Sequence, residues 1–443
     1  MLKRFIVKNF LSYQEENILE LTASDRDSNL NHFFEVDAIK ILKTAVIYGA
    51  NASGKSNLIK AIEFAQDIIS NSLNGVATNK KYFRLNKEGF NTPSTFEFEL
   101  EINGEIFSYG FSTLLTSKTI TEEWLYIISS PTPEKIFERK NNDISLGEWL
   151  KNIEEVKNRL SVYSDDMKNQ SHQLFLSEIG EKNLKLEGLS IIENIYNWFE
   201  KKLLVIYPTT KFGRIGSINE DKNLAQIFKT YLGEFDTGII DIKSIEEDFE
   251  TIFKRFPDKF KEEIEKDLND TSEISIRVSS GLLYTIYKDN NNELKARELG
   301  LVHNHKINDA FSLKDESDGT IRLFDLIPLI ARFSEDRTII IDEFERSLHP
   351  NLTKKFFELF YEVENSKAQL IVTTHESTLL NLKERRRDEI WFVEKDKQGG
   401  SQLFSFNQFE KRFDNEIKDA YLSGRYGAIP VFKKLIEESD NGV

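Results

Sequence analysis

Apolar and polar residues alternate at the start of the chain in a way that predicts β-strands. The sequence "LKRFIVKNF" alternates with a period of two, and residues 43–48 form a short apolar run. The stretch "TFEFELEINGEIFSYGF" alternates on both sides of Asn103-Gly104, a dipeptide typical of a tight β-turn. Between these strands, apolar residues recur at helical spacing: Leu58, Ile59, Ile62, Ala65, Ile68 and Ile69. Residues 1–130 are therefore predicted to be rich in strands, with a β-hairpin and one helix.

Two further segments follow. Residues 131–310 begin with charged, helix-like sequence ("GEWLKNIEEVKNRL") and continue with strand-like "ISIRVSS" and "LLYTIYKD", so we predict a mainly helical insertion. Residues 311–443 alternate between helices and apolar strands, and the strands include 339–341 and "AQLIVTTHES". The predicted fold class is α/β, with a mixed sheet and a largely helical insertion.

The amino-acid composition restricts the classes of protein to which this chain can belong. Of the 443 residues, 39% are hydrophobic and 30% are charged, as in a globular protein with a buried core. The chain has no cysteine, which excludes disulfides, thiolate metal sites and cysteine nucleophiles. No apolar run is long enough to cross a bilayer, and the first residues read as a strand and not as a signal peptide. We therefore expect a cytoplasmic protein without a membrane partner.

The formal net charge of −15 argues against a surface broadly adapted to nucleic acid. A negative net charge is still compatible with a local basic patch. The densest basic cluster is 385–387, three consecutive arginines, but acidic residues flank it on both sides. We interpret this cluster as a solvated helix end.

The stretch "YGANASGKSN", residues 48–57, lies between a predicted strand and a predicted helix. Its glycines, lysine and serine fit the phosphate-loop pattern G-x-x-x-x-G-K-S, which this context makes specific. Glycines let backbone N–H groups surround phosphate oxygens, and the helix N-terminus favours the same anion. We predict a nucleoside triphosphate here, with Lys55 on the β- and γ-phosphates and the Ser56 hydroxyl on Mg²⁺. The nucleotide-binding residues are Gly49, Ala50, Asn51, Ala52, Ser53, Gly54, Lys55, Ser56 and Asn57. The alternative is a chance glycine turn.

Candidate catalytic carboxylates end the apolar strand 339–341 in "RTIIIDEFERSLHP". Asp342 is expected to hold Mg²⁺ through its water shell, while Glu343 polarises the attacking water. A second apolar strand ends at His375. Active sites of α/β proteins lie at the carboxyl ends of parallel strands, so we expect His375 to sense the γ-phosphate or the attacking water. The alternatives are a solvated strand end and a structural histidine.

Another anion site is suggested by "DESDGTIRLFDLIPLIARF". Ser317 and Gly319 come just before an amphipathic helix, an arrangement that also serves as an ordinary helix N-cap. Ser317 precedes Asp342 by 25 residues. That order matches the position of the signature segment of ABC ATPases.

The order of these motifs, including "SLHP", resembles the ABC ATPases of the SMC and RecF type. More closely, "NFLSY", "YGANASGKSN", "ESDGT", "IDEFERSLHP", "IVTTHES" and "AYLSGRYGAIP" resemble compact prokaryotic ATPases of antiphage systems. These include the OLD-like group and the ATPase subunits of the PARIS, Septu and AbiL/RloA systems. The resemblance covers roughly residues 1–130 and 310–430. It implies an ATPase head that uses ATP and Mg²⁺, with Glu343, His375 and Lys55 as catalytic residues.

The resemblance also implies that the head pairs with a second copy, as a dimer or a higher oligomer. Each ATP would lie between residues 49–57 of one protomer and the Ser317–Gly319 segment of the other, with 347–350 at the interface. The chain departs from the family pattern at Thr320, which replaces the second glycine of the signature. No Q-loop glutamine is assigned, because Gln66 falls inside the predicted helix. Leu11 stands where some relatives carry a basic residue.

Few residues outside the ATPase motifs are candidates for catalysis or metal binding. OLD-family proteins continue into a Toprim nuclease, whereas 68 residues follow His375 here without a D-x-D cluster. The acidic residues Asp414, Glu416 and Asp419 read as the polar side of a helix. His303 and His305 alternate in a predicted strand, where a surface pair and a metal site are both open interpretations.

The resemblance therefore implies a separate effector protein, such as a Toprim nuclease, that is held until infection. A phage-encoded trigger is part of this expectation, and residues 383–440 are the candidate docking segment. Two other readings stay open: a RecF-like, ATP-gated DNA-binding repair protein, and a transporter ATPase. The long insertion and the unassigned Q-loop disfavour the transporter. Composition argues mildly against the DNA-binding protein, so DNA as a partner is not decided.

Overall fold

A computed structural model describes most of the chain. The described residues are 1–25, 31–129, 132–151, 154–182, 184, 186, 189–211, 218, 221–254, 257–269, 271, 273–277, 282–289, 291–303, 310–364, 366–409 and 417–422. They form two compact units. The first unit is Met1–Ile206, Asp336–Phe344 and Lys367–Val443, and the second is Tyr207–Glu335 and Glu345–Ser366.

The strands in chain order are β1 (Leu2–Lys8), β2 (Asn17–Glu20), β3 (Phe33–Val36), β4 (Ile39–Leu42), β5 (Thr44–Gly49), β6 (Ser94–Ile102), β7 (Glu105–Leu114), β8 (Thr119–Ile127), β9 (Glu134–Lys140), β10 (Asp143–Leu146), β11 (Leu203–Ile206), β12 (Asp241–Glu247), β13 (Glu273–Arg277), β14 (Leu283–Lys288), β15 (Leu294–Val302), β16 (Phe311–Ser312), β17 (Thr338–Ile341), β18 (Gln369–Thr374), β19 (Ile390–Lys395) and β20 (Ser401–Ser405). The helices are α1 (Lys55–Gly75), α2 (Glu148–Lys151), α3 (Glu154–Met167), α4 (Phe175–Gly180), α5 (Ser190–Asn197), α6 (Lys222–Glu234), α7 (Phe249–Phe253), α8 (Asp258–Asp267), α9 (Asp318–Ile330), α10 (Pro350–Glu362) and α11 (Ile417–Leu422). None of the described helices is both long and apolar enough to span a membrane. The predicted α/β fold class is confirmed.

A six-stranded sheet in the first unit carries the predicted motifs. Its strand order is β11-β17-β18-β5-β19-β20, and only the pairing of β19 with β20 is antiparallel. Every residue of β5, β17 and β18 is buried, which explains why their sequences are continuous apolar runs. Parallel neighbours present their carboxyl ends at one edge, so Gly49, Asp342 and His375 come together there.

A seven-stranded antiparallel sheet with the order β10-β9-β8-β7-β6-β1-β2 also belongs to the first unit. The predicted hairpin is confirmed: β6 and β7 pair across Asn103 and Gly104, whose φ values of 55° and 92° suit a two-residue turn. The buried side chain of Gln369 joins the two sheets. Its Nε2 donates to the carbonyl oxygens of Leu2 and Leu42, each at 2.8 Å.

The second unit contains an antiparallel sheet with the order β12-β15-β14-β13, and β16 pairs with β15. Residues 274–277 of the strand-like "ISIRVSS" lie in β13, and residues 283–288 of "LLYTIYKD" form β14; residues 278–280 lie outside the described part of the chain. The segment 131–310 is thus divided between both units, and its described residues form strands as well as helices. The physical reason is that β11 pairs with β17 in the first unit, while β12–β15 form a sheet with a core of their own.

The interpretation of 385–387 as a solvated helix end is wrong, because all three arginines are at most 3% exposed. The neighbouring Asp388 pairs with Arg386. Nε and Nη2 of Arg386 donate to the two carboxylate oxygens of Asp388, both at 2.9 Å, and Nη2 also donates to the Ser24 carbonyl at 2.7 Å. Arg387 donates to the Phe406 carbonyl at 3.2 Å. A charged sequence that was predicted to be exposed to solvent is instead a buried cluster, in which polar groups form hydrogen bonds with one another.

Candidate functional site

The glycine loop after β5 can adopt its path only because of its two glycines. Gly54 has a φ of +121°, and a Cβ there would lie 2.2 Å from the Ser401 hydroxyl oxygen. A Cβ on Gly49 would lie 2.5 Å from Ser53 Oγ and 2.6 Å from the Val393 carbonyl oxygen. Any side chain at either position would push the loop away from its neighbours, as expected for a backbone cradle that surrounds phosphate.

Lys55 lies at the first position of α1 and is 5% exposed. Its ammonium donates to the carbonyl oxygens of Gly49 at 2.8 Å and Ala50 at 3.2 Å, so it lies within the curve of the loop. His375 Nε2 lies 3.1 Å from the same ammonium. An ammonium can only donate, so this contact requires a histidine nitrogen that accepts. The structure therefore brings together the two residues that were predicted to act at the γ-phosphate.

The predicted metal ligands are also adjacent. Ser56 Oγ donates to Asp342 Oδ1 at 3.1 Å, and Asp342 is 4% exposed. A hydroxyl and a carboxylate oxygen are ligands that Mg²⁺ prefers, and the ion usually takes one or two protein ligands with waters and phosphate oxygens. The pair of oxygens thus fits the predicted Mg²⁺.

Thr373 contacts the carboxylate of Asp342 and the backbone of Glu343, a role that sequence reasoning missed. This residue lies in β18 and is fully buried. Its Oγ1 donates to Asp342 Oδ1 at 2.5 Å and accepts from the backbone N–H of Glu343 at 2.9 Å. Glu343 itself has a φ of 46°, a left-handed conformation that is uncommon for a non-glycine residue. The sequence feature that could have indicated this role is the pair of threonines that follows the apolar residues 370–372 and directly precedes His375.

A second group of residues, which sequence reasoning also did not identify, contacts the phosphate loop from other parts of the chain. Asn57 Nδ2 donates to Ser12 Oγ at 2.8 Å, and Ser401 Oγ lies 2.7 Å from Ser12 Oγ and 2.5 Å from the Ser53 carbonyl oxygen. The Tyr13 hydroxyl donates to the Gly54 carbonyl at 3.1 Å. The loop is therefore fixed by "NFLSY" and by the start of β20. Two of these residues lie within the quoted resemblance motif, but nothing in their spacing indicated contact with the loop.

Ser317 and Gly319 belong to the second unit, at the start of α9. Ser317 is the N-cap: its Oγ accepts from the Thr320 N–H at 3.1 Å. A Cβ on Gly319 would lie 2.7 Å from the Ser347 carbonyl oxygen, so a glycine is needed for the close approach of residues 345–348. The N-cap interpretation is confirmed. Contact of this segment with nucleotide stays a prediction.

The remaining candidates form ordinary structural contacts or lie outside the described residues. Gln66 Nε2 donates to the carbonyl oxygens of Phe199 at 2.6 Å and Leu203 at 3.2 Å, and the Leu11 N–H donates to the Lys81 carbonyl. His303 lies just after β15, and its Nε2 is 2.6 Å from Glu316 Oε1. In the described part of the chain, no three or more His, Cys, Asp or Glu side chains form a metal-binding group. Residues outside the description include His305, Asp414, Glu416 and 423–443.

Comparison with known proteins places these features in a family. The family described as "AAA domain, putative AbiEii toxin, Type IV TA system" (AAA_21) matches residues 45–171 and 218–381. The chain is similar to the SMC head domain from Thermotoga maritima, with 14% identity and a TM-score of 0.37 over 91% of this chain and 98% of that chain. It is also similar to an SMC head bound to the C-terminal winged-helix domain of ScpA, with 13% identity and a TM-score of 0.36 over 91% and 97%. No curated protein matches the chain. The family match covers more than half of the chain and includes the phosphate loop, Asp342, Glu343 and His375, so the chain belongs to this AAA family of P-loop, nucleotide-binding ATPase domains.

Proposed function

We propose that this protein binds Mg-ATP and hydrolyses it to ADP and phosphate. The observation that carries the proposal is the hydrogen-bonded chain from Ser56 through Asp342 and Thr373 to the backbone of Glu343. This chain joins the residue pair that fits Mg²⁺ to the residue that fits the general base. A phosphate loop alone would support binding, whereas the ordered Glu343 supports hydrolysis.

Each side chain has a role that its position supports. Lys55 would exchange its carbonyl acceptors for the β- and γ-phosphates, and the N–H groups of residues 49–57 would surround the phosphate oxygens. Ser56 and Asp342 would hold Mg²⁺, which supplies charge neutralisation on the phosphates. Glu343 would orient and polarise the attacking water, and His375 would contact the γ-phosphate or that water. Thr373 keeps Glu343 in place through its backbone.

A second copy of the chain would complete the ATP site, as in an ABC-type ATPase head. Ser317 is exposed at the N-terminus of α9, where backbone N–H groups and the helix dipole favour an anion. Ser347, which contacts the Gly319 backbone, has a φ of 63° and would keep 347–350 in a defined shape for the interface. In this arrangement hydrolysis is slow in the monomer and rises when nucleotide drives dimer or higher-oligomer formation.

The biological role that we propose is a sensor and scaffold in antiphage defence that controls a separate effector. The support for a separate effector is the motif resemblance; the family description names a putative toxin of a type IV toxin–antitoxin system and supports only the link to such systems. The effector would be a Toprim nuclease or another toxic protein, and a phage-encoded trigger would release it. We expect expression of this chain alone to leave growth unaffected, and expression of the adjacent gene alone to be toxic. Toxicity of this chain by itself would contradict the scaffold role.

The ATPase proposal is tested with Glu343→Gln, which keeps the shape of the side chain and removes its charge. Glu358→Gln on the exposed face of α10 is the matched control. We expect Glu343→Gln to bind nucleotide, to hydrolyse it at least 100-fold more slowly, and to accumulate as a larger oligomer in light scattering with Mg-ATP. Hydrolysis at the rate of the control would overturn the assignment of Glu343.

The RecF-like alternative makes a different prediction. An ATP-gated DNA-binding protein would retain duplex DNA only in the Mg-ATP-bound oligomer of Glu343→Gln, and its adjacent gene would not be toxic. Filter binding with duplex DNA at physiological salt separates the two functions.

A further inference from the structure

A cleft of about 590 Å³ lies in the first unit at the C-terminal end of α1. Since α1 begins at the phosphate loop and runs for 21 residues, the cleft is about 30 Å from that loop along the helix. Four chain segments form its walls: the end of α1, the segment 76–93, the turn between β7 and β8, and residues 171–172. We call it the α1 cleft, and the residues that matter here are Asn74, Lys80, Tyr82, Phe90, Lys118 and His172.

Hydrogen bonds tie the four walls to one another. The Leu73 N–H donates to the His172 carbonyl at 3.0 Å, and the Ile120 N–H donates to the Ser171 carbonyl at 2.7 Å. Lys118 Nζ donates to the Val76 carbonyl at 3.2 Å, and Thr116 Oγ1 donates to the Phe90 carbonyl at 3.3 Å. The volume of the cleft is in the range of small-molecule sites, which are usually preformed. The α1 cleft is therefore a built site and not a gap between loose loops.

The charge of the cleft opposes that of the whole chain. Lys80 and Lys118 line it, and none of its described lining residues is acidic, although the chain carries a net charge of −15. Neither lysine is within ion-pair distance of a carboxylate in the described residues. A similar-sized cleft beside β1 shows the ordinary arrangement: there Arg4 pairs with Glu20 at 2.5 Å, and Lys40 pairs with Asp25 at 3.3 Å. Cations without local carboxylates favour an anionic ligand.

Two aromatic rings line the same cleft as these cations. The rings of Tyr82 and Phe90 are 5.6 Å apart at 87°, and Phe90 is 51% exposed. An exposed aromatic ring beside lysines is the combination by which proteins bind nucleobases and their phosphates, because the base stacks while the lysines neutralise the phosphate. Asn74 and His172 add polar groups that can hydrogen-bond a base edge or a sugar.

The backbone around the cleft is held in rare conformations. Lys80 and Lys118 have φ values of 58° and 53°, and Ser72 interrupts α1 with a φ of 59° and a ψ of 170°. Non-glycine residues adopt positive φ at a cost of about 1–3 kcal/mol each, and such residues cluster at ligand sites. Here the conformation sets the path of both lysine-bearing segments into the cleft.

We propose that the α1 cleft is a second ligand site, which binds a nucleoside phosphate at the far end of α1 from the phosphate loop. Phe90 stacks on the base, and Lys80 and Lys118 bind the phosphate. The same chemistry is offered by a free nucleotide and by a single strand of nucleic acid. This proposal does not depend on ATP hydrolysis, because none of its residues contacts the phosphate loop or Glu343.

The test measures two probes without added nucleotide, with the full chain carrying Lys55→Ala, which removes the cation of the phosphate loop. The probes are thymidine 5′-monophosphate, by calorimetry, and a fluorescein-labelled oligo-dT of about ten nucleotides, by anisotropy. The variants are Lys80→Ala/Lys118→Ala and Phe90→Ala. The control is Lys60→Ala/Lys266→Ala, which has the same net charge and removes two exposed lysines that do not line the cleft. Urea denaturation verifies that every variant is folded.

We expect the Phe90 variant to bind about fivefold more weakly or worse. A plot of log affinity for the oligonucleotide against log salt concentration has a negative slope. The Lys80→Ala/Lys118→Ala variant should reduce the magnitude of this slope by about 1.4, and the control should leave the slope unchanged. Binding of the monophosphate alone identifies a free nucleotide as the ligand, and binding of the oligonucleotide alone identifies a nucleic-acid strand. The proposal is overturned if neither probe binds, or if the cleft double variant binds both probes as tightly as the control.

Discussion

The hydroxyl of Thr373 connects Asp342, the proposed metal ligand, to the backbone of Glu343, the proposed general base, and its removal tests whether that connection matters. Thr373→Val keeps the branched shape of the side chain and replaces the hydroxyl with a methyl group. Asp342 then loses a charge-assisted hydrogen bond of 2.5 Å, and the Glu343 N–H loses its acceptor at 2.9 Å. Ser56 still donates to Asp342 at 3.1 Å, so the carboxylate keeps one partner.

The size of the effect follows from these two bonds. A hydrogen bond to a charged group contributes about 1.5–3 kcal/mol, and a neutral one contributes about 0.5–1.5 kcal/mol. We therefore expect the free energy of unfolding to fall by about 2–4 kcal/mol. Residues that orient metal ligands usually affect activity by about 10- to 100-fold, and we expect kcat for ATP to fall within that range.

The control is Thr373→Ser, which keeps the hydroxyl and deletes one buried methyl group. It should cost about 1 kcal/mol of stability and leave kcat within a few-fold of the wild type. The assays are urea denaturation and steady-state phosphate release over a range of Mg²⁺ concentrations. If the valine variant is as stable as the serine variant and hydrolyses ATP as fast, the hydroxyl does not position Asp342 and Glu343, and the reasoning is refuted.

Two further predictions concern packing and pH. Gly319→Ala places a methyl group 2.7 Å from the Ser347 carbonyl oxygen, so we expect light scattering to show loss of nucleotide-dependent oligomers while fluorescent-nucleotide binding is retained. Loss of both would mean that the substitution acts on folding. Burial alone would raise the pKa of Glu389, but the hydrogen bond and charge of His32, with smaller contributions from Arg385 and Thr44, lower it overall. A lowered pKa stabilises the fold above the ordinary carboxyl value and loses that effect as pH falls through the lowered value, so Glu389→Gln should destabilise the protein more at pH 7 than at about pH 3. An equal destabilisation at both pH values in urea denaturation would contradict this sign.

The strands that the sequence predicted well, and the candidate site residues at their ends, are those with strong local signals. The continuous apolar runs before Gly49, Asp342 and His375 identified three parallel strands, and parallel pairing alone brings their carboxyl ends together. The hairpin at Asn103-Gly104 was readable for the same reason, because that dipeptide supplies the two left-handed residues that the turn requires.

The rest of the site depends on contacts between distant parts of the chain. Thr373 is one threonine in an apolar strand, and its role follows from the register between β17 and β18. Ser401 reaches the loop from about 350 residues away in sequence. The prediction for residues 385–387 was wrong for a related reason. The order of charges along a sequence cannot distinguish a solvated cluster of arginines from a buried cluster that pairs with a neighbouring acidic residue.

If one ATP site is shared by two copies of the chain, two variants that are each inactive should restore activity when they are mixed. Lys55→Ala removes the phosphate-loop cation. Ser317→Asp keeps an N-cap on α9 but sets a carboxylate against the phosphate, and Ser317→Thr is the matched control. Each of the first two variants should be inactive alone, whereas Ser317→Thr should retain activity.

In an equal mixture of the two inactive variants, half of the dimers carry one intact site. Such a site joins the normal loop of the Ser317 variant to the normal Ser317 segment of the Lys55 variant. The account predicts recovery of about one quarter of the wild-type ATPase rate. A mixture no more active than its separate components would contradict a shared site.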